Sequence, residues 1–169
     1  MSATLHHSTE QSTESKQNFR VDLGEQRLVQ NGEKLSLVLG SCVGLCLWDY
    51  ETQTGAVAHI MLPYSQGLNT APERFADKAV GLLLDRFRQL DIPLTRLEAN
   101  LVGGARLAES TTGFGIGHEI VGVVAALLEE ESVAISSDRT GGNYGCRAEL
   151  DCSTGILTVD SVIDQREIA

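Results

Sequence analysis

Leu39-Gly40-Ser41-Cys42-Val43-Gly44-Leu45-Cys46-Leu47-Trp48 and, beyond residues 49–55, Ala56-Val57-Ala58-His59-Ile60-Met61-Leu62 are the two runs whose reading decides the fold. Both are apolar and short, the length of buried strands rather than of helices. Gly40-Ser41 stops the preceding run Leu35 to Leu39, and Pro63 ends the second strand. The polar stretch Asp49 to Gly55 reads as the loop between them. If 42–48 and 56–62 pair as a hairpin, Cys42 and His59 stand on neighbouring strands.

Outward from this hairpin, Val21 to Val29 reads as a first strand, and Asn31-Gly32 as a tight hairpin turn into Leu35 to Leu39. Downstream, Pro72 suits a helix start. Phe75, Ala79, Leu82, Leu83, Phe87 and Leu90 then recur at helical spacing until Ile92-Pro93. Leu97 to Val102 predicts a strand, followed by the turn Gly103-Gly104-Ala105 and a loop over 106–115. A second helix is predicted over Gly117 to Glu130, with Ile120, Val121, Val124, Leu127 and Leu128 on its apolar stripe. Val133 to Ser137 reads as a strand and Asp138 to Gly145 as a loop. Residues 146–152 and 156–162 form a closing hairpin about Ser153-Thr154-Gly155. Hairpins outnumber strand–helix–strand units, which predicts an α+β fold: a single layered domain of mostly antiparallel or mixed sheet packed with two main helices. Residues 1–18 read as a flexible polar tail and 19–165 as the domain.

Composition narrows the function. Of 169 residues, 42% are hydrophobic, enough for a real core, and 13 Lys plus Arg against 23 Asp plus Glu give a net charge of −10. A nucleic-acid binder needs a basic stripe to displace counterions, and an anionic membrane surface repels an acidic chain. No run approaches the ~20 apolar residues that span a bilayer, and residues 1–17 lack the apolar centre of a signal peptide. Four cysteines in a well-filled domain do not make a disulfide scaffold, so reduced thiols and a cytoplasmic location are expected.

The flanking glycines of Cys42 allow a sharp backbone bend and close approach of a substrate. A thiol at such a bend can be flanked by the free N–H groups that an oxyanion requires. The competing reading is a small buried hydrophobe. His59 shifts the balance, because an imidazole in an apolar run needs a reason. A free thiol is only a few per cent thiolate at neutral pH, and an adjacent imidazole can take its proton and later protonate a leaving amine. A satisfied core histidine is the competing reading here. Ser36, Asp49, Thr52 and Thr54 are near enough in sequence to orient the imidazole. As metal ligands, Cys42, Cys46 and His59 with Cys146 or Cys152 match no compact zinc spacing, and no cofactor motif stands out: the glycine turns at 103–104 and 141–142 lack a phosphate-loop ending. Their expected role is tight turning or close backbone approach near the active site.

Several pieces together resemble the chemoreceptor glutamine deamidases of bacterial chemotaxis, the CheD family. They are Leu39-Gly40-Ser41-Cys42-Val43, His59-Ile60-Met61-Leu62-Pro63, Arg74-Phe75-Ala76-Asp77-Lys78-Ala79, Val102-Gly103-Gly104-Ala105, Ile116-Gly117, the stretch Asp138 to Gly145, and the end pair around Thr154-Gly155. They run in the family's order over roughly Arg20 to Val162. The resemblance implies a cysteine hydrolase that converts receptor glutamines to glutamates with release of ammonia. It carries the nucleophile to Cys42 and the histidine to His59. The family's threonine six positions before the cysteine falls on Ser36, which keeps the hydroxyl. It further implies methyl-accepting receptor helices as substrate, a CheC-type phosphatase as partner, and no cofactor or metal. This chain departs from the pattern at His118-Glu119-Ile120 and at Cys146, where the family has an arginine; Arg147 follows one place later. A non-enzymatic adaptor of the same fold, with Cys42 as a relic, is the rival from another class.

Overall fold

The computed structural model describes residues 15–107 and 115–162. The chain forms β1 (Asn18–Arg20), β2 (Gln26–Val29), β3 (Lys34–Leu39), β4 (Val43–Asp49), β5 (Thr54–Ile60), α1 (Ala76–Arg88), β6 (Glu98–Gly103), α2 (Ile116–Glu130), β7 (Ala134–Thr140), β8 (Gly145–Asp151) and β9 (Ile156–Val162). Two mixed sheets result, ordered β1-β3-β8-β9 and β2-β5-β4-β6-β7. Only β1–β3 and β6–β7 run parallel among these neighbours. The expected α+β class and layered architecture are both present.

Strand alternation explains the layering. Val43, Leu45 and Leu47 of β4, with Ala56, Ala58 and Ile60 of β5, pack with Leu83, Leu84 and Phe87 of α1 and Ile120, Val124 and Leu128 of α2. The other face carries Cys46, Val57 and Val102, which meet Leu35, Leu37, Leu39, Ala148 and Leu150 of the first sheet. The five-stranded sheet is therefore covered on both sides, which is why β4 and β5 read as continuous apolar runs. Each fully buried leucine adds about 1.5–3 kcal/mol relative to an exposed one.

Helix α1 begins after a short 3₁₀ turn, Pro72–Arg74. Its first-turn Asp77 accepts from the backbone N–H and the hydroxyl of buried Ser65, each at 2.9 Å, and Arg86 and Arg88 oppose the dipole at its last turn. Leu82 and Leu90, expected on the buried stripe, are 38% exposed, and Val80 and Leu84 take the core positions instead.

Three local expectations need correction. Residues 21–29 are not one strand: a turn closed by Glu25 N–H to the Asp22 carbonyl at 3.0 Å, with Gly24 at φ +72°, separates β1 from β2. Asn31-Gly32 does turn, at φ 60° and 71°, but β2 pairs with β5 while β3 pairs with β1 and β8, so the turn links two sheets rather than a hairpin. Residues 138–140 continue β7 instead of belonging to the glycine loop. Of the expected tail, residues 1–14 lie outside the described residues, as do 108–114 of the predicted 106–115 loop; Asn18 already belongs to β1. Among the described residues no helix is long and apolar enough to cross a membrane.

Candidate active site

The predicted hairpin exists, and its register sets the site. Gly44 stands opposite His59. Cys42 precedes Gly44 by two residues on the same face, so Cys42 and His59 are diagonal cross-strand neighbours, a relation that places Cα atoms about 7–8 Å apart and side chains within reach. Cys42 is half-buried and packs at the margin of the inter-sheet core. His59 is 3% exposed. Between them Gly44 has no side chain; a Cβ there would come within 2.7 Å of Leu37 Cδ1 and 3.0 Å of Val102 Cγ1. This glycine lets the four-stranded sheet pack closely against β4 here.

The bend at 40–42 is tied to the end of β6. The Cys42 carbonyl accepts from Gly104 N–H at 2.7 Å, and the Gly40 carbonyl from Ala105 N–H at 2.9 Å. Gly103, at φ +90°, runs so close that a Cβ would meet the Cys42 carbonyl oxygen at 2.5 Å. The expectation of close backbone approach at 103–104 is met at the nucleophile candidate itself. Among the described residues nothing accepts a hydrogen bond from Cys42 N–H.

His59 is gripped from the opposite side by residues 21–25. Its N–H donates to the Glu25 carbonyl at 2.9 Å and its carbonyl accepts from Gly24 N–H at 3.0 Å. Its ring Nδ1 lies 3.4 Å from the Val21 carbonyl. Burial holds its pKa below the ordinary histidine value, against the raising influence of the Val21 carbonyl, Asp22 and Glu25; Arg20 adds to the lowering. Burial also pushes the Cys42 thiol up. Burial thus disfavours the charged form of both groups.

Ser36 was expected to orient His59. It lies on β3 between buried Leu35 and Leu37, on the alternate face, next to Arg20 and Glu149. It lines a shallow surface cavity of about 250 Å³ with Val38 and Arg147. Its hydroxyl makes no hydrogen bond to His59 among the described residues. Asp49, Thr52 and Thr54 sit at the far end of the hairpin. The Val21 carbonyl beside His59 was not anticipated, because a main-chain oxygen has no residue signature; Gly24 inside an apolar run was the available hint.

The other cysteines do not join the pair in a metal site. Cys46, Cys146 and Cys152 are buried in the inter-sheet core. Burial, with neighbouring groups, pushes Cys46 and Cys152 to about 12, so they are inert thiols. Among the described residues no group of three His, Cys, Asp or Glu is placed to hold a metal ion. A cavity of about 240 Å³ opens beside the bend, lined by Gly104, Arg106, Gly117 and Thr140 among others.

Known proteins resemble this chain over most of its length. A protein of Thermotoga maritima named chemoreceptor glutamine deamidase CheD is 36% identical over 143 residues, covering 84% of this chain and 90% of that protein. A probable chemoreceptor glutamine deamidase CheD of Desulforamulus reducens is 31% identical over 150 residues, covering 85% and 90%. Spans this long necessarily include residues 42 and 59. A crystal structure of a Neisseria meningitidis protein is similar at TM-score 0.41 and 12% identity, over 70% of this chain and 52% of that one. Residues 61–161 match the family described as CheD chemotactic sensory transduction. With that match over more than half its length, and with these relatives, the chain belongs to the CheD family.

Proposed function

We propose that this chain is a protein-glutamine deamidase, converting specific chemoreceptor glutamines to glutamates with release of ammonia. The observation that carries the reading is the diagonal placement of half-buried Cys42 and buried His59 across Gly44, in a chain whose relatives bear that activity in their names. In the first half-reaction His59 Nε2 takes the Cys42 proton as sulfur bonds to the carboxamide carbon. The carbonyl π pair moves to oxygen, where Cys42 N–H meets it. Collapse breaks the C–N bond, and the His59 proton leaves with the nitrogen as ammonia. Water, deprotonated by His59, then attacks the thioester; glutamate leaves and the thiol regains its proton. No cofactor enters these steps. Receptor cytoplasmic helices as the presenting element, a CheC-type phosphatase as a further partner and the cytoplasm as location are supported by the family resemblance.

The test is ammonia release from purified receptor cytoplasmic fragments. Cys42→Ala and His59→Ala should each lower it by about 10³-fold or more. Undiminished release by either variant would sink the mechanism. Alkylation separates the adaptor rival: modified Cys42 stops an enzyme and leaves an adaptor's receptor binding intact.

A further inference from the structure

We propose that Gly117 is a positioning residue for the nucleophile: lacking a side chain, it lets the main chain of α2 bear directly on Gly104 and so fixes the bend that carries Cys42. The inference rests on the reading of Cys42 as nucleophile, and deepens it with a residue from a different element of the fold.

Two runs that carry the family resemblance, Val102-Gly103-Gly104-Ala105 and Ile116-Gly117, meet at this point. A Cβ on Gly117 would stand 2.5 Å from Gly104 Cα, 2.8 Å from its carbonyl oxygen and 2.9 Å from its carbonyl carbon. These are main-chain atoms, which cannot swing aside as the end of a side chain does. Gly104 in turn closes the bend: its N–H donates to the Cys42 carbonyl at 2.7 Å, and Ala105 N–H donates to the Gly40 carbonyl at 2.9 Å. Val43, next to Cys42, is its other neighbour; a Cβ on Gly104, at φ +63°, would lie 3.3 Å from Val43 Cγ2. Gly104 thus lies between α2 and residues 42–43.

Which side yields to a larger residue at 117 follows from burial. Ordinary contact begins near 3.4 Å, so a methyl group at 117 demands a retreat of about 1 Å. Helix α2 is anchored by Ile120, Val124 and Leu128, all 0% exposed and on the same face as Gly117. The bend is held by the main-chain hydrogen bonds of residues 104–106 and gives first, carrying Cys42 with it. A nucleophile misplaced by about 1 Å can cost roughly 10²-fold in rate. Gly122 supplies the contrast within the same helix: it is exposed, and a Cβ there meets nothing within 4 Å.

The test compares Gly117→Ala with Gly122→Ala in the full chain. Ammonia release from a receptor cytoplasmic fragment is measured per molecule shown folded by denaturant titration. Gly117→Ala should lose roughly 10- to 100-fold in kcat, with KM within about threefold of the wild type. Gly122→Ala should keep both within about twofold. A merely structural glycine would lower stability and leave kcat per folded molecule alone. A Gly117→Ala protein with wild-type kcat therefore overturns the proposal, as does a loss confined to KM or an equal loss in Gly122→Ala. A second measurement needs no variant. In the wild type, the Gly104 amide proton that closes on Cys42 should exchange with solvent as slowly as the amides of Ile120 and Val124. Much faster exchange at Gly104, with α2 still protected, would show that the bend opens independently of the helix and would also overturn the proposal. Failure of the underlying reading is distinct. It shows as a wild-type protein that releases no ammonia, or a Cys42→Ala protein that does, and leaves the exchange result standing.

Discussion

The two ends of the β4–β5 hairpin have the same strands, the same pairing and opposite treatment of their polar groups. At the closed end, Asp49 pairs with Thr54 across the 50–53 turn. Its fully buried carboxylate accepts from Arg96 Nε at 2.6 Å, Arg96 Nη2 at 2.9 Å, and Thr52 N–H and hydroxyl at 3.1 and 2.5 Å. Burial pushes this carboxyl up, but the Arg96 and Thr52 bonds outweigh it and hold it below the ordinary aspartate value. At the open end, burial works on Cys42 unopposed, and on His59 it outweighs the Val21 carbonyl, Asp22 and Glu25. A satisfied buried network fixes geometry; an under-satisfied pair keeps chemical potential for a substrate. On the proposed reading, the closed end holds the strands in register and the open end carries the reaction.

The comparison can be broken by exchanging the effects of mutation. Cys42→Ala should remove about 10³-fold or more of the activity while shifting unfolding free energy by less than about 1 kcal/mol, read by denaturant titration. Arg96→Met should do the reverse. It leaves the Asp49 carboxylate without its cation and should lower the unfolding free energy clearly, with kcat/KM per folded molecule unchanged. If Arg96→Met lowers kcat/KM as strongly as stability, the two ends are not separable.

Gly44→Ala tests the seam between them. Its Cβ would meet Leu37 Cδ1 at 2.7 Å, an overpacking worth about 1–3 kcal/mol, and the displaced sheet should also loosen the Cys42–His59 pair and slow the reaction. A fully active Gly44→Ala protein would deny that close sheet approach positions the pair.

The smallest effects are those of pH. Since burial depresses His59, the acidic limb of kcat/KM should lie below the ordinary histidine value of about 6.5. The same shift makes the unfolded chain bind the proton first. His59 thus contributes stability fully present above about pH 6.5, and lost as pH falls from there through the folded value. Asp49, depressed instead, contributes stability present above about pH 4 and lost as pH falls through its own folded value. Thermal unfolding across pH should resolve two separate declines, the upper one missing in His59→Gln.

Much of this was legible before any fold was known. Alternation and apolar runs gave β3 to β6, the closing hairpin and both helices, because their burial on one or two faces is written in residue type. The pairing of Cys42 with His59 followed from one hairpin hypothesis. What failed was non-local or made of backbone. Asn31-Gly32 encodes a turn but not which strands its flanks will join. The break at Gly24 depends on a positive φ inside an apolar run. The place of Ser36 on β3, between buried Leu35 and Leu37, was by contrast legible from alternation alone. The Val21 carbonyl could not be read from side chains at all.

The most direct measurement is peptide mass spectrometry of a receptor cytoplasmic fragment after incubation with this protein. The account predicts amide-to-acid conversion at a few discrete glutamines with the wild type and none with Cys42→Ala. An unconverted fragment with folded wild-type protein, or conversion by Cys42→Ala, would contradict it.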